Sequence, residues 1–244
     1  MKSLEHGYKA VVIGAHGGIG AGLVRQLKAD ANCAAVYGFA RRENPDQSDI
    51  ALTGLMDTTQ EASIEQAAAS LDGTIDMVIN ATGFLHDPET GQQPERSMRH
   101  LDMAAMNHVF AVNCFGPALV MKHFIPKLHR QKRALFGSLS ARVGSISDNR
   151  LGGWYSYRAA KAAHNMMIKN AALEAGFRYQ QAVILGLHPG TVDSALSKPF
   201  HSNVAADKLF SPAQSAAYLL SVLDAATPEQ SGSCLAWDGQ TITP

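Results

Sequence analysis

The segment that most constrains this chain is a short apolar run, Tyr8 to Ile13. A glycine cluster breaks it, Gly14-Ala15-His16-Gly17-Gly18-Ile19-Gly20, and a helical pattern from Ile19 to Ala29 follows at once. A continuous apolar run without polar alternation reads as a strand covered on both faces, the mark of a parallel sheet. Glycines let the backbone turn sharply and approach a ligand closely. The next helix then offers free N–H groups and the positive end of its dipole to an anion such as a pyrophosphate. The spacing is GxxxGxG rather than GxGxxG, with one extra residue between the first two key glycines. On the glycines alone, a tight strand-to-helix turn without a ligand remains the other reading.

The same alternation continues along the chain. Further strands are expected at Ala34 to Phe39, Ile50 to Thr53, Asp76 to Asn80, Ala134 to Leu139, Ala182 to Leu187 and Cys234 to Trp237. Helices are expected over Ala62 to Leu71, Met98 to Leu128 with a bend at Pro117, Trp154 to Ala175, and Pro212 to Asp224. Ser211 and Pro212 make an N-cap and N1 pair for the last of these. The expected fold is a single α/β domain over residues 1–244. It is of the Rossmann type, doubly wound, with a mostly parallel sheet of about seven strands and helices on both faces. Two irregular stretches, Gly83 to Ser97 and Pro189 to Ser211, follow strand carboxyl ends, where open α/β sheets bind ligands. Residues 189–211 are assigned as a substrate loop on that ground.

Composition narrows the function classes. Hydrophobic residues are 46% and charged residues 17% of 244, and the net charge is zero, so no basic footprint for nucleic acid is present. Three scattered cysteines, Cys33, Cys114 and Cys234, fit a reducing cytoplasm better than a disulfide framework. No signal-peptide pattern opens the sequence and no uninterrupted apolar run reaches membrane-spanning length. Ten histidines form no HExxH and no zinc spacing with cysteine, so no metal is expected.

Two local patterns carry chemistry. After the second strand stand Ala40, Arg41 and Arg42, where a binder of the unphosphorylated dinucleotide carries Asp or Glu for the ribose hydroxyl. A guanidinium grips a 2′-phosphate bidentately and a carboxylate repels it, so NADP(H) is preferred over NAD(H). Within the long helix, Tyr157 and Lys161 are one turn apart and share a face. Tyrosine ordinarily titrates near 10, and lowering that to about 7 takes roughly 4 kcal/mol. A lysine charge about 4 Å away supplies about that much at an effective dielectric near 20. Tyr155 has Ala159 at the same spacing and gains no such help.

Taken jointly, the glycine turn, Asn80-Ala81-Thr82-Gly83 and Tyr157-Arg-Ala-Ala-Lys161 stand in the order of the short-chain dehydrogenase/reductase superfamily, which the whole chain resembles. Ser140-Ala-Arg-Val-Gly-Ser-Ile-Ser-Asp-Asn and Tyr155-Ser-Tyr-Arg-Ala-Ala-Lys look most like the small carbonyl reductases related to C-factor and sniffer. The resemblance implies that Gly14, His16, Gly17, Gly18, Ile19 and Gly20 surround the cofactor phosphates and that Asp57 accepts the adenine amino group. Asp57 also reads as a charge at a helix N-terminus. Asn80, Ala81 and Gly83 would line the adenosine ribose and brace the sheet. Asn113 would hold a water of the proton relay, its other reading being a buried Asn bonded to backbone. Lys161 would bond the nicotinamide ribose. In Pro189-Gly190-Thr-Val192-Asp-Ser194, Val192 would meet the carboxamide through its backbone, and Ser194 stands where the family has threonine. Family members that use NADP(H) often carry a basic residue directly before the second key glycine. Gly17 stands there, beside His16, so the preference rests on Arg41 and Arg42.

The family's active-site serine is expected at Ser140, with Ser138 as the fallback two residues back. The gap from Ser140 to Tyr157 is longer than usual, consistent with a local insertion over Asp148 to Gly153. The implied activity is NADPH-dependent reduction of a carbonyl, with Tyr157, Lys161, Ser140 and Asn113 as the catalytic set and a small carbonyl or alcohol as substrate. An NAD-dependent alcohol dehydrogenase and a non-catalytic NADP(H)-binding sensor are the rivals. Phe84, Trp154 and Phe200 read equally as a pocket wall or as packing. Assembly is left open between monomer and homo-oligomer.

Overall fold

The structure is a computed structural model that describes residues 1–203 and 208–244. Its elements in chain order are β1 (Tyr8–Ile13), α1 (Gly18–Ala29), β2 (Cys33–Ala40), β3 (Gly54–Leu55), α2 (Glu61–Ala69), β4 (Met77–Asn80), α3 (Met103–Phe110), α4 (Gly116–Phe124), β5 (Ala134–Leu139), α5 (Tyr155–Gly176), β6 (Ala182–His188), β7 (Thr191–Val192), β8 (Leu209–Phe210), α6 (Pro212–Ala225) and β9 (Cys234–Ala236). Seven strands form one sheet in the order β3-β2-β1-β4-β5-β6-β9. Every pairing in it is parallel. Strand order reverses between β1 and β4, the crevice in which a doubly wound sheet takes its ligand.

The apolar runs are explained by burial on two faces. Ala10 and Val12 of β1 join one core with Leu23, Leu27, Leu219 and Leu223 of α1 and α6. Val11 and Ile13 join the other with Ile64, Val120, Phe124 and Ile168 of α2, α4 and α5. Successive side chains thus leave on opposite faces and both are covered.

Two expected elements differ. The third strand is not Ile50 to Thr53 but Gly54–Leu55, pairing with Phe39 and Ala40 at the sheet edge. Ile50 is buried by packing, not by pairing. The long helical stretch starts at Met103 and carries its irregularity as a π turn, Ala111–Phe115, just before Pro117. Proline lacks an N–H, so one carbonyl of the preceding turn, Val112 or Asn113, loses its helical donor and the ladder widens. The segment Met103–Lys127 is long and apolar enough to cross a bilayer. In this fold it packs against α2, α5 and β4.

Candidate active site

The glycine turn is built by backbone bonds. Gly14 and Ala15 both donate to the Phe39 carbonyl, at 2.7 and 2.9 Å, and Gly17 donates to Gly14 at 2.9 Å. A Cβ on Gly20 would stand 2.0 Å from the Gly14 carbonyl oxygen, so only glycine lets α1 start this close to the turn. The first intrahelical bond is Ala21 N–H to the Gly17 carbonyl, and Gly17 has no side chain to cap the helix. The N–H groups of Gly18, Ile19 and Gly20 are therefore left for an anion. His16 does not join them through its ring. Its Nε2 donates to the Ile50 carbonyl at 2.8 Å and its Nδ1 accepts the Asn44 N–H at 2.9 Å, which ties the β2–β3 connection to the turn.

That connection carries Arg41 and Arg42. Both are exposed, and neither has an ion pair or side-chain hydrogen bond among the described residues. They line a cavity of about 620 Å³ with Gly14, Gly17, Asp57 and Ala81. Asp57 accepts the Thr59 N–H at 2.9 Å and its hydroxyl at 2.7 Å through Oδ1, so one carboxylate oxygen braces the turn into α2. Unpaired guanidiniums and bare helix N–H groups along one cleft fit a phosphorylated dinucleotide.

The cleft continues past the end of β4. Asn80 is buried and fully engaged: Oδ1 accepts from Thr82, and Nδ2 donates to Ser138 Oγ at 3.3 Å. Asn113, in the π turn, is also fully buried. Its Oδ1 accepts the Phe84 N–H at 3.1 Å and its Nδ2 donates to the Phe84 carbonyl at 2.8 Å and to Val109 at 2.9 Å. The side chain clamps the chain just after Gly83.

A second cavity of about 500 Å³ brings together Gly18, Ile19, Ser140, Tyr157, Lys161 and Ser194. Tyr157 lies in the first turn of α5, where helices fray. Trp154 offers no side-chain cap; the capping group comes from Glu95 in the long loop after β4. The Glu95 carbonyl accepts the Trp154 N–H at 2.6 Å. Its buried carboxylate accepts the Ser156 N–H at 3.2 Å and the Ser156 hydroxyl. Gly152, Gly153 and Trp154 hold φ of 64°, 64° and 50° in succession. This left-handed run carries the Trp154 ring to 6.1 Å from Tyr157 and 4.9 Å from Phe200.

Lys161 is 2% exposed and its Nζ donates to the Leu139 carbonyl at 2.8 Å, 5.7 Å from the Tyr157 ring centroid. Burial lowers its ammonium to about 8. Burial also pushes the Tyr157 phenol up to about 12, against the lowering expected from the sequence. The lysine charge is itself disfavoured and is engaged by a backbone carbonyl, so desolvation dominates at the phenol. Tyr157 is therefore protonated at neutral pH, the form that donates.

The two candidate serines separate by depth. Ser138 is fully buried beneath Asn80, and its hydroxyl shares a 3.0 Å bond with His164 Nε2. Ser140, just past the end of β5, lines the cavities with Tyr157 and donates to Asn165 Oδ1 at 2.6 Å. The Cys234 thiol lies beside it, raised to about 11 by burial and so neutral.

A third cavity of about 250 Å³ opens from Ser140 and Tyr157 and is walled by Val143, Trp154, His188, Val192, Leu196 and Phe200. Burial lowers His188 to about 4, so it is uncharged at neutral pH. Phe84 lies in the neighbouring cavities and not in this wall. Pro189 accepts the Ser215 hydroxyl at 2.9 Å. Gly190 has φ of 74°, and a Cβ there would stand 2.6 Å from the Phe210 ring. Val192, in β7 beside β8, accepts the Ser197 hydroxyl through its carbonyl. Residues 204–207 of the expected substrate loop lie outside the described residues.

The fold thus brings the site residues singled out in the sequence to three adjoining cavities, except that Gly20, Asn80 and Asn113 line none of them; Asn80 and Asn113 are buried braces behind the walls, and His16 braces the wall it lines. Glu95, His164 and Asn165 were not singled out. Asn165 carries a usable signal, since it continues the Tyr157 and Lys161 face by one more turn. Glu95 carries none, because its partner is 61 residues away.

Comparison with known proteins agrees with this geometry. The family model for short chain dehydrogenase matches residues 8–205. A 1-hydroxy-2-glutathionyl-2-methyl-3-butene dehydrogenase of Rhodococcus sp. (strain AD45) is 32% identical over 94% of this chain and 96% of its own. The C-signal protein of Myxococcus xanthus is 30% identical over 70% of this chain and 93% of its own. Among solved structures, an NADPH-bound carbonyl reductase from chicken fatty liver superposes with a TM-score of 0.83 at 25% identity, covering 99% of this chain and 100% of that one.

Proposed function

This chain belongs to the short-chain dehydrogenase family and is an oxidoreductase, and from that premise we propose that it reduces a small apolar carbonyl compound, an aldehyde, ketone or quinone, with NADPH. The observation that carries the reading is the meeting of Tyr157, Lys161 and Ser140 at one cleft whose far end holds two unpaired arginines. NADPH, when bound, supplies a hydride to the carbonyl carbon. Arg41 and Arg42 grip its 2′-phosphate, and the N–H groups of Gly18, Ile19 and Gly20 hold its pyrophosphate. Ile19, Ser194 and the backbone around Val192 border the nicotinamide end. The NADPH bound by the chicken reductase supports this preference.

Tyr157 protonates the oxygen as negative charge develops on it, and Ser140 polarises that oxygen by hydrogen bond. Donors fixed before reaction act where the charge appears, in a site shielded from water. Lys161 stabilises the phenolate left behind, and the Asn113 turn passes a proton inward from solvent. Residues 189–211 form the substrate loop of a single catalytic domain, working in a reducing cytoplasm. The apolar wall of Trp154, Leu196 and Phe200 suits a compact substrate without charge.

The C-signal relative favours a second reading, an NADP(H)-binding signalling protein without turnover. Fluorescence titration with NADPH and NADH, followed by turnover on a panel of aldehydes, ketones and quinones, separates the two. Tight NADPH binding with turnover supports the reductase. Tight binding with no turnover on any carbonyl moves the weight to signalling, and preference for NADH defeats the reading of Arg41 and Arg42.

A further inference from the structure

We propose that Asn165 is a positioning residue that sets whether the Ser140 hydroxyl gives or receives a hydrogen bond in the substrate cavity; this rests on the reductase reading above. Asn165 stands one turn beyond Lys161 and two beyond Tyr157 on α5, so all three share a face. Its Oδ1 accepts the Ser140 proton at 2.6 Å, and Ser140 is 4% exposed, at the wall it shares with Tyr157.

A hydroxyl has one proton. While that proton goes to Asn165, Ser140 shows the cavity only lone pairs. Lone pairs suit an alcohol, which can donate. They do not suit a carbonyl oxygen, which only accepts. The reaction converts one into the other, so a serine of fixed polarity serves only one of the two.

The amide resolves this. Its oxygen and nitrogen ends are nearly equal in size, one accepting and the other donating. Nδ2 has no protein partner among the described residues, so a half turn of the amide forfeits no other protein hydrogen bond. After that turn Nδ2–H donates to Ser140 Oγ, and the serine proton points to the substrate carbonyl. The neutral Cys234 thiol is a weak partner and does not hold Ser140 against this exchange. Asn165 touches no reacting atom; it acts through Ser140.

The test uses Asn165→Asp, which only accepts when ionised, and Asn165→Leu, which does neither, each alone and with Ser140→Ala. The readouts are kcat and KM for carbonyl reduction across pH, and NADPH affinity by fluorescence. Loss of one hydrogen bond in the transition state corresponds to about tenfold in rate. Asn165→Asp is expected to lower kcat about tenfold at pH 8, and the deficit relative to wild type closes as pH falls through the carboxyl titration. Asn165→Leu costs about threefold by the same scale. In the Ser140→Ala background neither change lowers kcat further, because the two residues act as a unit. NADPH affinity stays unchanged throughout.

A deficit in Asn165→Asp that is equal at every pH, as a purely structural change would give, overturns the proposal; so does one that multiplies fully with Ser140→Ala, as a carboxylate acting through nearby Lys161 would give. Wild-type kcat in Asn165→Asp overturns it too, as does loss of NADPH binding in both variants, which assigns Asn165 to the scaffold. A wild-type protein that reduces no carbonyl overturns the reductase reading and this one together, whereas an active wild type with insensitive variants overturns this one alone.

Discussion

At the β2 end of the cleft, Arg41 and Arg42 stand in solvent with no ion pair or side-chain hydrogen bond among the described residues. At the α5 end, Lys161 and Ser140 are almost wholly buried and hydrogen-bonded within the protein: Lys161 to Leu139, Ser140 to Asn165, and beneath them Ser138 to Asn80 and His164. The first arrangement leaves its charges in water, where salt screens them. The second displaces titration, raising Tyr157 to about 12 and lowering Lys161 to about 8. One cleft therefore carries exposed charge at one end and buried titratable groups at the other, and in the proposed function binding and reaction are separable by mutation.

Tyr157→Phe draws the contrast most strongly. It removes the proton donor and keeps the ring beside Trp154, so kcat is expected to fall by about 10²- to 10⁴-fold while NADPH affinity holds. Kinetics beside fluorescence titration check both halves. Lys161→Met comes next, read as stability rather than rate. The folded pKa near 8 lies below the ordinary lysine value of 10.5, so in that window the unfolded chain binds the proton more tightly and stability rises with pH. The gain is about 3 kcal/mol at most, partly offset by the bond to Leu139. Denaturant midpoints from pH 7.5 to roughly 10.5 should climb in the wild type and lose that slope in Lys161→Met.

The exposed end gives smaller effects. Arg41→Ala and Arg42→Ala are each expected to weaken NADPH binding about ten- to a hundredfold without changing NADH binding, and the wild-type preference should shrink as salt is added. Equal losses for both cofactors would erase the distinction between the ends. Asp57→Asn is the mildest: the amide oxygen still caps Thr59, so stability holds and NADPH affinity moves by no more than about threefold.

How much of this was legible before the structure depends on the range of each interaction. Strands β1, β2, β4, β5 and β6 declare themselves because both sheet faces are covered and the apolar run is continuous. β3 does not, since two residues at an edge have too little pattern to show. Tyr157, Lys161 and the glycine turn are local motifs within one element and its flank. Ser140 and Ser138 stay unresolved in sequence, because both face α5 and only depth parts them. Glu95 is invisible: a buried carboxylate capping a helix 61 residues away leaves no trace in its own neighbourhood. The rise at Tyr157 is not legible in sequence, because the Lys161 charge one turn away is local whereas the burial around the phenol comes from the fold.

The all-parallel sheet has a consequence for how the chain reaches this state. No strand in it pairs through a hairpin; every pairing but that of β2 with β3 waits for an intervening α-helix, and β1 must find β2 on one side and the later β4 on the other. Contacts of that kind are made late and slowly, after loop closure over long separations. Until then Val11, Val12, Ile13, Val78 and Ile79 are uncovered, and such runs invite intermolecular pairing. Slow synthesis at low temperature is therefore the condition under which this chain should be recovered folded rather than as aggregate.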